Sequence, residues 1–256
     1  AKRVVAGLRG LPKLKTLWVG ESIALGSASK LIDAAKTGKL PALRKALAEG
    51  APINGTDETG WTALHWACSN ARREAALALI KAGADVSGAG DRGPINFALE
   101  ARFNITQREV DDRVAIVRAL MKAGSPLTIL GHDGTTVLAK ACELGRGKAT
   151  DLVKDLLAAK PDLTAVSRNG RTLLHWSAEY GHLEVVRAAL KAGIGLDEQD
   201  ADGLTALHLA AAEGQRAAAF LLLDEGASRT VTSRRGQTPF DVSRRTDKVL
   251  LKRLKP

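Results

Sequence analysis

Large side chains of the kind that fill an ordinary globular core are scarce in this chain. Phe, Trp and Tyr together make up 4% of its 256 residues, with one Tyr and one Met, which excludes a core of stacked aromatic layers and favours short helices packed closely through small and aliphatic side chains. Only two cysteines are present, Cys68 and Cys142, too few for a disulfide-stapled secreted scaffold and in keeping with a reducing compartment. No apolar stretch approaches the roughly 18 uninterrupted residues that a membrane span requires, so the chain is read as soluble and intracellular. Catalytic signatures are missing as well. There is no nucleophile elbow, no metal-spaced cluster and no isolated carboxylate pair in apolar surroundings. The segment Gly145-Arg146-Gly147-Lys148-Ala149-Thr150 is not a phosphate loop, which needs Gly where Cys142 stands and Ser or Thr where Ala149 stands. The expectation is a non-enzymatic protein with no cofactor, no metal and no small-molecule substrate.

What the chain does have is positive charge, and it sits at the ends. The formal net charge is +10, of which residues 1–30 carry +5 and residues 227–256 carry +7, leaving 31–226 slightly acidic. Basic ends on a nearly neutral middle point to acidic protein surfaces or to nucleic-acid phosphate, with a solvated cap as the bland alternative.

The middle is built from one sentence written repeatedly. Thr62-Ala63-Leu64-His65 and Thr205-Ala206-Leu207-His208 bracket a third version, Thr172-Leu173-Leu174-His175. The position of these histidines falls on Ile32, Asn96, Ala139 and Asp241 elsewhere, giving successive steps of 33, 31, 43, 36, 33 and 33. Each unit opens on a turn such as Asp57-Glu58-Thr59-Gly60 or Asp200-Ala201-Asp202-Gly203. A Thr able to cap a helix follows (Thr62, Thr172, Thr205, Thr238), with Pro94 and Pro239 at first helical positions where the missing N–H costs nothing. A second helix, carrying Val185, Val186 and Leu190 in one unit, stops at a glycine such as Gly83, Gly124, Gly193 or Gly226.

Self-similarity at this period, with a Thr-x-Leu-His-x-Ala core and a glycine closing each unit, resembles the ankyrin repeat family. The resemblance covers about residues 28–256. It implies an all-α ankyrin-repeat solenoid of about seven helix-turn-helix units with hairpin or turn tips, the first and last being caps: 28–56, 57–87, 88–130, 131–166, 167–199, 200–232 and 233–256. It also implies that the histidines bond to neighbouring backbone and fix the repeat junctions, less regularly where Asn96 and Ala139 replace them. Cys68 and Cys142, two repeats apart, stand too far from each other for a disulfide. His132 and His182 are expected in solvent. The slot after the histidine, filled by Trp66, Phe97, Trp176 and Leu209, is read as core.

Residues 1–27 form a separate basic arm with Arg3, Arg9, Lys13 and Lys15 among apolar residues. Its composition is similar to a mitochondrial or plastid targeting segment or to the basic extension of a ribonucleoprotein subunit. An arm docked on its own first repeat or on a partner is the preferred expectation.

The resemblance implies a protein-protein interaction scaffold, binding its partner through tips and first-helix faces. The expected contacts are Trp61, Arg92, Thr135, Arg171 and Leu204 on the tips and Tyr180 on a first helix. Two insertions add to this face, ten residues around Arg102–Arg108, which would lift Phe103 and Ile105 onto an apolar loop, and three near Gly145–Lys148. The alternative is a peripheral RNA- or DNA-contacting subunit, seated by the basic ends: the arm residues above and Arg234, Arg235, Arg244, Arg245, Lys248, Lys252 and Arg253.

Overall fold

The computed structural model describes residues 27–87, 93–100, 105–128, 131, 133–144, 148–244 and 247–255. They form helices in sequential pairs. These are α1 (27–37) with α2 (Leu40–Ala48), α3 (Ala63–Ser69) with α4 (Arg73–Lys81), α5 (Pro94–Leu99) with α6 (Gln107–Lys122), and α7 (Val137–Glu143) with α8 (Thr150–Ala158). Then follow α9 (Leu173–Tyr180) with α10 (Leu183–Lys191), α11 (Ala206–Glu213) with α12 (Arg216–Asp224), and α13 (Pro239–Val242) with α14 (Lys248–Leu254). Among the described residues there is no strand; isolated bridges occur, such as that between Thr56 and Thr62. No described helix is long and apolar enough to cross a membrane.

The chain divides into two compact units, Ala1–Val86 and Ser87–Pro256. In the first, α4 packs on both α2 and α3. In the second, first helices stack on first helices, α5 to α7 to α9 to α11 to α13, while α8, α10, α12 and α14 form a parallel row behind them. Each layer supplies small and aliphatic side chains to its neighbour. Ala178, Val185, Val186, Ala189, Ala210, Ala211, Ala218 and Leu222 are all buried completely or nearly so, which is how a chain poor in aromatics still excludes water from its core.

Threonine starts the first helices as expected. Thr62, Thr205 and Thr238 each accept a bond at the side-chain oxygen from the backbone N–H three residues on, and Thr136 and Thr106 do the same for α7 and α6. Pro94 and Pro239 open α5 and α13. Second helices close on a left-handed residue, with φ of +87° at both Gly83 and Gly193. Both cysteines are buried, and neither is in a disulfide.

Two expectations need correction. The ten extra residues of the third repeat do not simply enlarge a loop: α6 is 16 residues long where α4, α8, α10 and α12 have 9, so much of the insertion becomes helix, capped by Thr106. And His182 is not in solvent. It is buried, and its Nε2 bonds to the carbonyl of Cys142 at 3.2 Å, tying the start of α10 to α7; burial lowers its pKa although that bond acts the other way. His132 lies outside the described residues.

Two different kinds of bond hold the second unit's layers along its two edges. Along the tips the backbone itself crosses from turn to turn: Arg168 N–H donates to Asp133 O at 2.8 Å, Ala201 to Asn169 O at 2.7 Å and Arg234 to Asp202 O at 2.9 Å. Gly203 shows how close this approach is, since a Cβ there would lie 2.7 Å from the Arg234 nitrogen. Along the second helices the crossings include exposed ion pairs, Arg118 with Asp155 at 2.7 Å and Lys154 with Glu184 at 3.8 Å.

Candidate partner-binding face

Within each unit the tips stand in front of the first helices, and their geometry follows from the turn. Asp57, Gly131, Ser167, Asp200 and Ser233 each stand first in a turn closed by two backbone bonds; for Asp200 these are Asp200 N–H to Leu204 O and Gly203 N–H to Asp200 O, both 2.9 Å. Where the first residue is Asp or Ser, its side chain also binds the turn from inside. Asp200 Oδ1 accepts from Asp202 and Leu204 N–H at 2.9 Å, and Ser233 Oγ accepts from Arg235 and Gln237 N–H at 3.3 Å.

The histidines lock each turn to the next. Thr172 N–H donates to His175 Nδ1 at 3.1 Å, so Nδ1 is an acceptor and the proton sits on Nε2, which bonds to Leu204 O on the following turn at 3.0 Å. His208 repeats the arrangement between Thr205 and Gln237 O at 3.1 and 3.0 Å. Burial lowers both pKa values, while the bonds to Leu204 and Gln237 oppose the shift. In the last repeat Asp241 takes over the near half of the role, its Oδ2 accepting from Thr238 N–H at 2.8 Å. The histidines are thus structural, and no group of three or more His, Cys, Asp or Glu able to hold a metal exists among the described residues.

The slot after the histidine is not uniformly core. Phe97 and Leu209 are buried, but Trp66 and Trp176 are half-exposed. Each carries a cation over its ring. Lys36 Nζ stands 4.0 Å from the centroid of Trp66, and the Arg171 guanidinium 5.0 Å from that of Trp176. Trp66 also donates its indole N–H to Asp57 Oδ2 at 2.7 Å. Burial pushes the Asp57 carboxyl up, but bonds from the Thr59 and Trp66 side chains and from the Trp61 and Thr59 backbone outweigh it and hold the group at about 2. The periodic pattern marks the Trp slot as apolar, but it carries no sign of the cation delivered from another turn or helix.

The expected contact residues divide accordingly. Trp61 is half-exposed, and its ring lies 4.6 Å from that of Trp66, tilted by 49°, so it is packed on its own repeat's first helix. Leu204, Ile105 and Tyr180 are half-exposed. Arg171 is 17% exposed and engaged on both sides, with Glu179 at 2.7 Å and Asp200 at 3.2 Å; burial raises the Glu179 pKa against the pull of Arg171, with Glu213 and Glu143 reinforcing the rise. Thr135 overturns its expectation. It is 2% exposed, so its side chain is buried rather than presented on the tip. Arg92, Phe103, Arg3, Arg9, Lys13, Lys15 and Arg245 lie outside the described residues. Of the remaining basic-end residues, Arg244 pairs with Glu213 at 3.1 Å and Arg253 with Asp224, while Arg234, Arg235, Lys248 and Lys252 are exposed.

Family models described as ankyrin repeats match residues 31–80 and 145–233, together more than half of the chain. The chain is an ankyrin-repeat protein. Ankyrin repeats are general protein-protein interaction modules, and this ankyrin chain is similar to much longer proteins. It is 27% identical over 230 residues to the E3 ubiquitin-protein ligase KEG of Arabidopsis thaliana, an alignment that covers 85% of this chain and 14% of the ligase. It is 32% identical over 166 residues to the human neurogenic locus notch homolog protein 1, covering 63% of this chain and 6% of that protein. The chain therefore spans a small fraction of either relative. The crystal structure of the human ASB11 ankyrin repeat domain superposes with a TM-score of 0.65 at 24% identity, covering 88% of this chain and 98% of that one, a likeness of fold.

Proposed function

We propose that this ankyrin-repeat protein is a non-enzymatic adaptor in which residues 28–256 form the repeat domain, about seven repeats, and 1–27 a basic arm. It grips a protein partner through the groove between tips and first helices. The observation that carries this reading is the half-exposed tryptophan slot. Trp66 in the first unit and Trp176 in the second are each half-exposed and held under a cation, and preorganised aromatic surface of this kind is what anchors protein interfaces. Tyr180 and Leu204, also half-exposed, extend it. The basic ends favour acidic surfaces on the same assembly. Contact with RNA or DNA is the weaker reading, because Arg244 and Arg253 are already committed to Glu213 and Asp224.

The test is to purify the protein from its own cells with and without nuclease and identify what stays bound at about 0.5 M salt, where exposed charge contacts are strongly screened. A small set of proteins resistant to both treatments is expected, and Trp176→Ala with Tyr180→Ala should release it while leaving the melting profile two-state. Release of every partner by nuclease would overturn the adaptor reading.

A further inference from the structure

The last turn of the second unit carries two adjacent exposed arginines, where the turn two layers earlier carries one, Arg168, and this bears on the partner's chemistry. Arg234 and Arg235 project from it into solvent, and among the described residues neither guanidinium forms an ion pair, whereas Arg171 two turns earlier, Arg244 and Arg253 all do. Their backbone is held rigidly, Arg234 N–H by Asp202 O at 2.9 Å and Arg235 N–H by Ser233 Oγ at 3.3 Å. Behind them, between this turn and α11, lies an open cavity of about 270 Å³ whose floor is aliphatic: Leu204, Leu209, Ala212 and Val242. That exceeds the ~150 Å³ that accommodates a benzene-sized guest. His208, bonded to Gln237 O at 3.0 Å, fixes the width of the groove.

An aliphatic floor with two free guanidinium groups on one rim is complementary to a peptide that presents an apolar side chain next to carboxylates. We propose that this groove is the subsite for an acidic segment of the partner protein. One apolar side chain fills the space between Leu204, Leu209 and Val242, and its flanking Asp or Glu side chains meet Arg234 and Arg235 bidentately. A nucleic acid fits less well. The floor offers no aromatic face on which a base could stack. The inference rests on the adaptor reading above and names the partner's chemistry at one end of the same face.

The experiment is selection of a random dodecapeptide phage library on the immobilised full chain, carried out in parallel on Arg234→Glu/Arg235→Glu and on Trp176→Ala/Tyr180→Ala. Both arginines are exposed, so the first variant should melt as the wild type does. Enriched peptides should carry an apolar residue within two positions of at least two carboxylates, and their affinity should fall about tenfold or more on the charge-reversed variant. Peptides that bind the charge-reversed variant undiminished but are lost on Trp176→Ala/Tyr180→Ala would overturn this subsite and leave the adaptor reading standing. Peptides without carboxylates, or an apolar-to-Ser exchange that leaves binding unchanged, would also overturn the subsite. No enrichment on any of the three proteins would count against both readings.

Discussion

The junctions of α9–α12 and those of α5–α8 solve the same problem by opposite chemistry. In the first region a neutral imidazole spans from its own threonine cap to the next turn, with both ring nitrogens used. In the second, Asn96 and Ala139 hold that position, and buried cations appear nearby. Arg113, 1% exposed, reaches from α6 to the carbonyl of Ala98 at 3.0 Å and pairs with Glu109 at 3.0 Å, so it caps the end of the short helix α5. Lys140, its side chain 7% exposed, pairs with Glu100 at 3.7 Å and occupies space beside Gly131, where the other turns carry Asp or Ser: a Cβ there would lie 2.5 Å from Lys140 Nζ. A regular repeat needs only a side chain that both accepts and donates. An irregular one needs a charge, and a buried charge tolerates substitution poorly.

The largest expected effect comes from removing that charge. Arg113→Met leaves the Ala98 carbonyl and Glu109 without their partner and should cost about 3 kcal/mol or more, read as a lowered urea midpoint; Arg113→Lys should restore little, because one ammonium lacks the fork that reaches both acceptors. His175→Ala, in the regular region, removes two bonds and should cost about 1–3 kcal/mol by the same measurement. The histidines also predict a pH dependence that the cations do not. Because burial lowers the folded pKa of His175, His182 and His208, the unfolded chain binds protons more readily. Their contribution is complete above the unfolded value of 6.5 and declines as pH falls below it. The urea midpoint should therefore drop between pH 7.5 and 5, and less steeply in a His175→Phe/His208→Phe double variant. A smaller effect tests Gly131. Gly131→Ser should destabilise by about 0.5–1 kcal/mol while Lys140 is present and by less with Lys140→Leu, where Asp133 Oδ1, 2.8 Å from the same Cβ, still crowds it, a coupling visible in a double-mutant cycle. In the other unit, Asp57→Asn should flatten the stability loss that wild type shows as pH falls from 3.8 toward about 2.

The parts of this arrangement that were legible in the sequence are those fixed by position within the repeat. Thr62, Thr205 and Thr238 as caps, Pro94 and Pro239 at helix starts and Gly83 and Gly193 as stops follow from local geometry that the period makes visible, whereas the bridging role of the histidines came from the family resemblance. What was not legible is set by which side of a short helix turns toward a neighbour. An apolar slot holds buried Leu209 in one layer and half-exposed Trp176 in another, and the residue type does not distinguish them. Thr135 is buried, although it stands on a turn like Leu204. Arg113 was hidden because its partners, Phe97 and Ala98, precede it by some 15 residues in another helix, and a charged residue on a long amphipathic helix reads as solvated.

The two edges of the second unit also differ in what can stretch them. The row of backbone bonds from Asp133 to Arg168, Asn169 to Ala201 and Asp202 to Arg234 has the fixed length of peptide geometry, whereas the ion pairs between second helices are exposed and weaken with ionic strength. The tips are thus the spine of a book and the second helices its fore-edge, with fixed bonds along one side and salt-sensitive ones along the other.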